Sequence, residues 1–185
     1  MYREMKAIFD RSNQKFLKKN KQLILNDASE RALCGQLMMC LNEELICAGY
    51  GKYYTDVEYN RNKFNSNNQN RRKSIKNERR EIIYVICDII AHSRGNNKIQ
   101  DNLIAIEMKK TNGGNKKSKC TDKERLKALT RDTYDDNWEY DGTSLPEHVC
   151  RYILGVYYEV DIVNRIVSIE YYQKGEVRDT NSMNF

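Results

Sequence analysis

Two ionisable groups close the short apolar run "NLIAIEMKK" at residues 102–110. Alternate residues of a strand point to the same face, so Glu107 and Lys109 would share one face, with the small Ala105 beside them. A further carboxylate, Asp88, lies inside the apolar run "EIIYVICDIIA" at residues 81–91. Burying a carboxylate there is costly unless it is paired or binds a metal. These three side chains are the ones whose types and spacing favour chemistry.

The spacing of the two acids suggests that they meet. Asp88 and Glu107 are 19 positions apart, which leaves room for a few strand residues, a turn and a returning antiparallel strand. Such a hairpin would bring both carboxylates to one end of a sheet. Close carboxylates repel unless a cation lies between them, and carboxylate oxygens suit magnesium or manganese. The spacing therefore predicts Mg²⁺ or Mn²⁺ as cofactor, with Lys109 as a positive group beside it.

The order of these residues also resembles a known signature. Asp88 followed by Glu107-Met108-Lys109, with an apolar strand before each acid, resembles the motif of the PD-(D/E)xK phosphodiesterase superfamily, which includes many restriction endonucleases and archaeal Holliday junction resolvases. The proline of that motif is absent, since Cys87 precedes Asp88. Resolvase-like members carry a glutamate near the start of the first core helix, and "SERALCGQL" supplies Glu30 there. The resemblance covers residues 27–160.

The resemblance implies a role for each residue. Asp88 and Glu107 would be metal ligands and Glu30 would complete the metal shell, so that Glu30, Asp88, Glu107 and Lys109 form the catalytic set. The metal would polarise the scissile phosphate and activate a water molecule. Neighbouring carboxylates favour the charged form of a lysine, so we expect Lys109 to orient the attacking hydroxide and stabilise charge on phosphorus. The implied activity is a Mg²⁺-dependent endonuclease that hydrolyses phosphodiester bonds, with DNA favoured over RNA.

Helical geometry gives an independent reason to consider Glu30. At about 100° per residue, Leu37 and Leu41 fall on the same side as Glu30, so it would lie at the head of the stripe that faces the sheet. The alternative is a capping box, Asp27-x-x-Glu30, in which the glutamate bonds back to the N-cap amide. Both interpretations remain open at the level of sequence.

The elements that must position these residues follow from apolar periodicity. Helices are predicted at 1–24, from Asn26 or Asp27 to Gly49 or Gly51, and at 121–134 with Thr121 or Asp122 as cap. Strands are predicted at 53–59, 81–91, 103–110, 151–161 and 165–175, and 60–80 is predicted to be a polar loop. The predicted fold class is α/β (α+β): a restriction endonuclease-like αβββαβ core with a mixed central sheet flanked by helices. An extra N-terminal helix and a C-terminal hairpin strand complete it.

Length and composition favour a single nuclease-like domain over residues 1–185. It would comprise an N-terminal helix (1–24), a core (27–160) and a terminal strand and tail (161–185). No apolar stretch approaches the roughly 18 residues of a membrane span, and the N-terminal residues lack the apolar region of a secretory signal. A cytoplasmic location is therefore expected. The six cysteines contain no C-x-x-C pair, which favours apolar buried thiols over a metal cluster or a disulfide framework.

Positive charge is concentrated in two blocks that flank the strands of the motif. Residues 61–80 and 109–131 each have a balance of +7, whereas residues 132–185 have a balance of −7. Basic blocks of this kind suit the phosphates of a nucleic acid partner, although lysines and arginines in polar loops are also commonly just solvated. The residues predicted to contact nucleic acid are Arg61, Arg71, Arg72, Lys73, Lys76, Arg79, Arg80, Lys110, Lys116, Lys117 and Lys119.

Three alternatives compete with a nuclease. In the first, the chain is a catalytically silent member of the same fold that binds nucleic acid or protein, since fold does not fix function. In the second, its tyrosine-rich final strands form an interface, which would make the chain a subunit of a larger defence or repair assembly. In the third, the motif is accidental, and Glu107 and Lys109 are simple edge-strand charges. Whether the chain forms a homodimer or joins a partner subunit is also open.

Overall fold

The computed structural model describes residues 1–63, 70–76, 82–84, 86–113, 116–132 and 149–185. Within these residues the helices are α1 (Tyr2–Leu25), α2 (Glu30–Cys47) and α3 (Lys116–Thr130). The strands are β1 (Tyr54–Val57), β2 (Arg61–Lys63), β3 (Asn70–Arg72), β4 (Ser74–Lys76), β5 (Ile82–Tyr84), β6 (Ile89–His92), β7 (Asn102–Lys110), β8 (Leu154–Asp161), β9 (Ile166–Gln173) and β10 (Glu176–Asn184).

The main sheet is mixed and mostly antiparallel. Its strand order is β1-β6-β7-β8-β9-β10, and within it β7 and β8 are parallel while the other neighbours are antiparallel. Parallel neighbours need a crossover connection, and α3 lies in the segment between these two strands. The predicted α/β class with a mixed sheet flanked by helices is confirmed at this level.

Helices cover both faces of the sheet, which explains why β7 is buried along most of its length. On one face, Phe9 of α1 packs edge-on against the rings of Tyr158 and Tyr171. On the same face, Sγ of Cys34 in α2 lies 3.7 Å from Sδ of Met108 in β7. On the other face, Leu126 of α3 packs with residues that include Ala105, Tyr157 and Tyr172. A strand buried on two sides needs apolar residues at nearly every position. β7 therefore presents ionisable side chains only near its C-terminal end.

The run at 81–91 does not form the single buried strand that its composition predicts. β5 pairs with β4 in a separate two-stranded sheet, and Ile82 and Tyr84 are exposed. Only β6, at the end of the run, joins the main sheet, between β1 and β7. β-branched composition indicates a strand but does not identify the strand with which it pairs. The partner of β5 is β4, which lies in the polar segment that was predicted to be a loop.

Two helix starts also differ from prediction, and a final strand was missed. α2 is capped by Ser29, whose Oγ accepts a hydrogen bond from the amide of Ala32, not by Asn26 or Asp27. α3 begins at Lys116, so Asp122 lies inside the helix and is not its cap. Residues 176–184 form β10, which was predicted only as part of a terminal strand and tail. No helix in the described part of the chain is both long and apolar enough to cross a bilayer.

Candidate active site

The β6–β7 hairpin brings Asp88 next to Glu107. Ile89 pairs with Ile106 in the antiparallel register, and continuing this register by one residue sets Asp88 opposite Glu107. Oδ2 of Asp88 accepts a hydrogen bond from the amide of Met108 at 2.8 Å. This bond ties the Asp88 carboxylate to the end of β7. Burial raises the pKa of Asp88, while the Met108 amide and Lys109 oppose the shift.

Lys109 lies among three carboxylates that come from three different elements. Its Nζ is 3.7 Å from Oε2 of Glu30, 4.0 Å from Oδ2 of Asp88 and 3.3 Å from Oδ2 of Asp122. Burial lowers the pKa of Lys109, but the nearby charges of Asp88, Asp122 and Glu30 outweigh burial and leave this pKa raised. Lys109 is therefore a cation at neutral pH.

Glu107 is the most deeply buried acid of the cluster, with 1% of its surface exposed. Its Oε1 accepts a hydrogen bond from Nη1 of Arg125 at 2.7 Å, and the same Nη1 lies 3.2 Å from Oδ1 of Asp122. Burial raises the pKa of Glu107 to about 8; Arg125 opposes this shift and Asp88 adds to it. The charge of this carboxylate in the folded protein therefore depends on a cation beside it.

Glu30 occupies the first position of α2 and reaches across to the end of β7. Its Oε1 accepts a hydrogen bond from the amide of Lys110 at 3.0 Å. The capping-box alternative is wrong, because Ser29 is the cap and Asp27 instead pairs with Nζ of Lys110 at 2.6 Å. Glu30 is thus held at the strand end, where it contributes to the cluster around Lys109.

Sequence reasoning missed two members of the cluster, Asp122 and Arg125. Asp122 is 5% exposed, and it was considered only as a possible cap of α3. The available signal was spacing: Asp122 precedes Leu126 by four residues and Leu129 by seven, which places it on the same face of the helix as these buried leucines. Arg125 lies one turn from Asp122 and pairs with it.

The cluster is built of hard oxygen donors. Within the described residues, no group of three or more His, Cys, Asp or Glu side chains is arranged so that it could hold a metal ion. The cations of Lys109 and Arg125 instead lie against the carboxylates. The donor chemistry nevertheless fits magnesium or manganese, and the side chains of Asp88 and Glu30 are 29% and 33% exposed. These two carboxylates are thus accessible to an ion from solvent.

The basic residues proposed for phosphate contacts lie in several environments. Arg61 is exposed on β2, and Lys116 and Lys117 are exposed at the start of α3. Lys110 is engaged with Asp27, and Nζ of Lys119 bonds Oε1 of Glu159 at 2.7 Å. Five further predicted contacts cannot be placed. The side chains of Arg71, Arg72 and Lys76 on β3 and β4 are outside the description, and Arg79 and Arg80 fall outside the described residues altogether.

Lys73 is not a surface residue. It is 5% exposed, its Nζ donates a hydrogen bond to the hydroxyl of Tyr152 at 3.0 Å, and it lies 5.2 Å from the centre of the Tyr59 ring. Burial lowers the pKa of Lys73 to about 8. The prediction that Lys73 contacts phosphate is therefore corrected. A lysine within a polar sequence looks exposed, but here the connection between β3 and β4 buries it against aromatic rings.

Comparisons with protein-family models, with curated proteins and with solved structures gave no match for this chain. Function is therefore inferred from the geometry and chemistry of the site.

Proposed function

We propose that the chain is a divalent-metal-dependent phosphodiesterase with a restriction endonuclease-like core. The order α2-β1-β6-β7-α3-β8, with β7 and β8 parallel, supports this αβββαβ core. Within that class we propose a nuclease that hydrolyses phosphodiester bonds of nucleic acid, with DNA as its substrate. The observation that carries the proposal is the meeting of Lys109 with Asp88 and Glu30 at one end of the sheet.

Asp88, Glu107 and Glu30 are the residues that would hold Mg²⁺ or Mn²⁺. A bound ion of this type polarises a phosphoryl oxygen and lowers the pKa of a bound water. As the side chains stand, Lys109 lies against Glu30 and Asp88, and Arg125 lies against Glu107. The three acids would therefore hold an ion only after Lys109 gave up its pairing with Glu30 and Asp88 and Arg125 released or shared Glu107. Because Glu30 and Asp88 are partly exposed and Glu107 is buried, an ion would reach the site from the side of Glu30 and Asp88.

Lys109 acts as a fixed positive charge in this proposal. Its raised pKa argues against a neutral amine that would accept a proton. An ammonium near the end of β7 instead stabilises the negative charge that develops on the attacked phosphate. It also orients the attacking hydroxide by hydrogen bonding. The proposed substrate contacts are the exposed Lys116 and Lys117 at the start of α3, together with the exposed Arg61 on β2.

The metal site is tested by the response of thermal stability to Mg²⁺. A ligand that binds the folded state raises the melting temperature, so titrating Mg²⁺ should stabilise the wild-type protein and leave Asp88→Asn without a response. Glu176→Gln, which changes an exposed carboxylate at the start of β10, is the matched control and should respond as the wild type does. Equal responses of all three proteins, or no response in any of them, would contradict the proposed site.

A catalytically silent nucleic-acid-binding protein is the second candidate. It is favoured by the internal neutralisation of the cluster, in which Arg125 pairs with Glu107 and Lys109 lies between Asp88 and Glu30. Such a protein would bind DNA with an affinity that falls steeply with salt, because phosphate contacts release counterions. It would not cut linear, branched or single-stranded DNA, or RNA, at any Mg²⁺ or Mn²⁺ concentration.

A further inference from the structure

Asp122 is a buried acid that is not part of the motif formed by Asp88, Glu107 and Lys109. It lies in the second turn of α3, and its two oxygens face different cations. Oδ1 is 3.2 Å from Nη1 of Arg125, and Oδ2 is 3.3 Å from Nζ of Lys109. Among the described residues Oδ2 has no hydrogen-bond partner, so the ammonium of Lys109 is its close counter-charge. A buried carboxylate oxygen of this kind is costly unless a cation stays beside it.

The carboxylate of Asp122 is held on a well-packed element. Leu126 and Leu129 of α3 are buried against the sheet. Gly155 of β8 lets the helix approach closely, since a Cβ there would lie 2.9 Å from Cγ2 of Thr130. The backbone that carries Asp122 is therefore fixed relative to β7, which carries Lys109.

Asp122 differs from the other two anions around Lys109 in its exposure. The side chains of Glu30 and Asp88 are about one third exposed, whereas that of Asp122 is 6% exposed. The first two are proposed metal ligands, so their charge is shared with the ion once it binds. Asp122 lies closest to Nζ of Lys109 among the three, and its interior position weakens competition from solvent. Asp122 is therefore the anion that can keep Lys109 in place when Glu30 and Asp88 bind the ion.

We propose that Asp122 is a positioning residue that holds the ammonium of Lys109 beside the reacting phosphate when Glu30 and Asp88 bind the metal. This inference rests on the proposed nuclease function and adds to it a residue of α3. Asp122 is not proposed to touch the substrate or the metal. Its effect on the reaction passes through Lys109, whose long side chain would have none of its three nearby anions left if Asp122 were absent while Glu30 and Asp88 held the metal.

The experiment compares Asp122→Asn, which keeps the shape but removes the charge, with Glu124→Gln, an exposed carboxylate on the same helix. DNA cleavage with Mg²⁺ gives kcat and KM, and calorimetry gives the Mg²⁺ affinity. We expect D122N to lower kcat about 10- to 100-fold, the range typical of groups that orient a functional residue, with KM and Mg²⁺ affinity unchanged. E124Q should match the wild type. Asp122→Glu should recover part of kcat.

An NMR measurement reports on positioning without any turnover. With Mg²⁺ present, the Cε methylene of Lys109 should be ordered in the wild type and in E124Q, and mobile in D122N. If D122N fails to fold, Asp122→Glu carries the same test, with a smaller loss of order and of kcat.

The outcomes separate the two proposals. If the wild type cleaves DNA and D122N cleaves at the same rate, or D122N loses Mg²⁺ affinity together with kcat, the positioning role is overturned and the nuclease function stands. If the wild type neither binds Mg²⁺ nor cleaves any substrate, the nuclease function is overturned, and the role of Asp122 in it is overturned as well. An ordered Lys109 methylene in D122N would overturn the positioning role in either case.

Discussion

The residues of the site show how burial and charge compete within a few ångströms. Glu107 is almost completely buried and has a raised pKa, yet it lies in hydrogen-bonding contact with Arg125. Transfer of a carboxylate out of water is unfavourable, and its attraction to a cation only partly offsets that cost. A carboxylate held this way is poised to exchange one cation for another, which is what the proposed function requires of it.

This balance predicts a pH dependence of stability. The ordinary pKa of a glutamate is 4.5, and that of Glu107 is raised to about 8 in the folded protein. The contribution of Glu107 to the free energy of unfolding is therefore fully present below about pH 4.5 and is lost as the pH rises through about 8. Over that range the free energy of unfolding falls by up to about 1.4 kcal/mol per pH unit. In EDTA, the free energy of unfolding of the wild type should fall relative to that of Glu107→Gln between about pH 5 and pH 9.

Urea unfolding of both proteins across this range measures the difference. A constant difference between the wild type and E107Q would show that the carboxyl of Glu107 titrates normally in the folded state.

Some residues of the site were predictable and others were not, for physical reasons. The shared face of Glu107 and Lys109 follows from the two-residue period of a strand, and the hairpin brings Asp88 to them. Asp122 was mistaken for a helix cap because polar residues precede it. The burial of Lys73 was not predictable, since it depends on rings of Tyr59 and Tyr152 that are distant in sequence.

The loop after β7 passes close to the side chain of Glu30 at the start of α2. A Cβ on Gly113 would lie 2.6 Å from Oε1 of Glu30 and 3.2 Å from the carbonyl oxygen of Lys110. The first atom is the end of a flexible side chain, so a methyl group would displace the Glu30 carboxylate before it disrupted the backbone. The absence of a side chain at position 113 thus lets Glu30 reach the amide of Lys110.

Gly113→Ala should therefore weaken Mg²⁺ binding while changing the free energy of unfolding by no more than about 1 kcal/mol, because the φ of Gly113 is not positive and alanine can adopt it. The control is Gly51→Ala, where a Cβ would meet nothing within 4 Å. Isothermal titration with Mg²⁺ and urea unfolding of both variants make the comparison. Unchanged Mg²⁺ affinity in G113A would argue against Glu30 as a ligand.

A second glycine determines the packing of α3. A Cβ on Gly155 would lie 2.9 Å from Cγ2 of Thr130 and 3.0 Å from Cβ of Tyr172, so Gly155→Ala forces α3 away from β8. We expect a loss of about 1–3 kcal/mol of stability, as for other overpacked cores. Chemical denaturation of the variant against the wild type measures the loss, and a neutral or stabilising effect would contradict the close packing of α3 against β8.

The elements themselves were largely predictable, whereas their pairing was less so. Amphipathic periodicity identified α1 and α2, and the apolar runs identified β7 and β8. The split of residues 81–91 into β5 and β6 depends on which strand each half meets, and composition carries no such information. The start of α3 was misplaced because its first turn is polar and exposed.

At the scale of the whole molecule, a mixed sheet with helices on both faces brings four elements to one end of β7. α2 supplies Glu30, β7 supplies Glu107 and Lys109, α3 supplies Asp122 and Arg125, and the segment before β6 supplies Asp88. The acids and bases of this cluster come from distant parts of the chain and meet only in the folded protein. That convergence supports a common function for them, which we propose to be phosphodiester hydrolysis.

The proposed nuclease activity, and the part of Lys109 in it, are tested by Mg²⁺-dependent cleavage with and without this lysine. The wild-type protein should cut at least one substrate in a panel of linear, branched and single-stranded DNA and of RNA, with Mg²⁺ or Mn²⁺ and not with EDTA. Lys109→Ala should abolish cleavage while remaining folded by circular dichroism, and Lys18→Ala, which changes an exposed lysine on α1, should cut as the wild type does. Cleavage by K109A at the wild-type rate would contradict the role of Lys109, and no cleavage by any of the three proteins would contradict the proposed nuclease function.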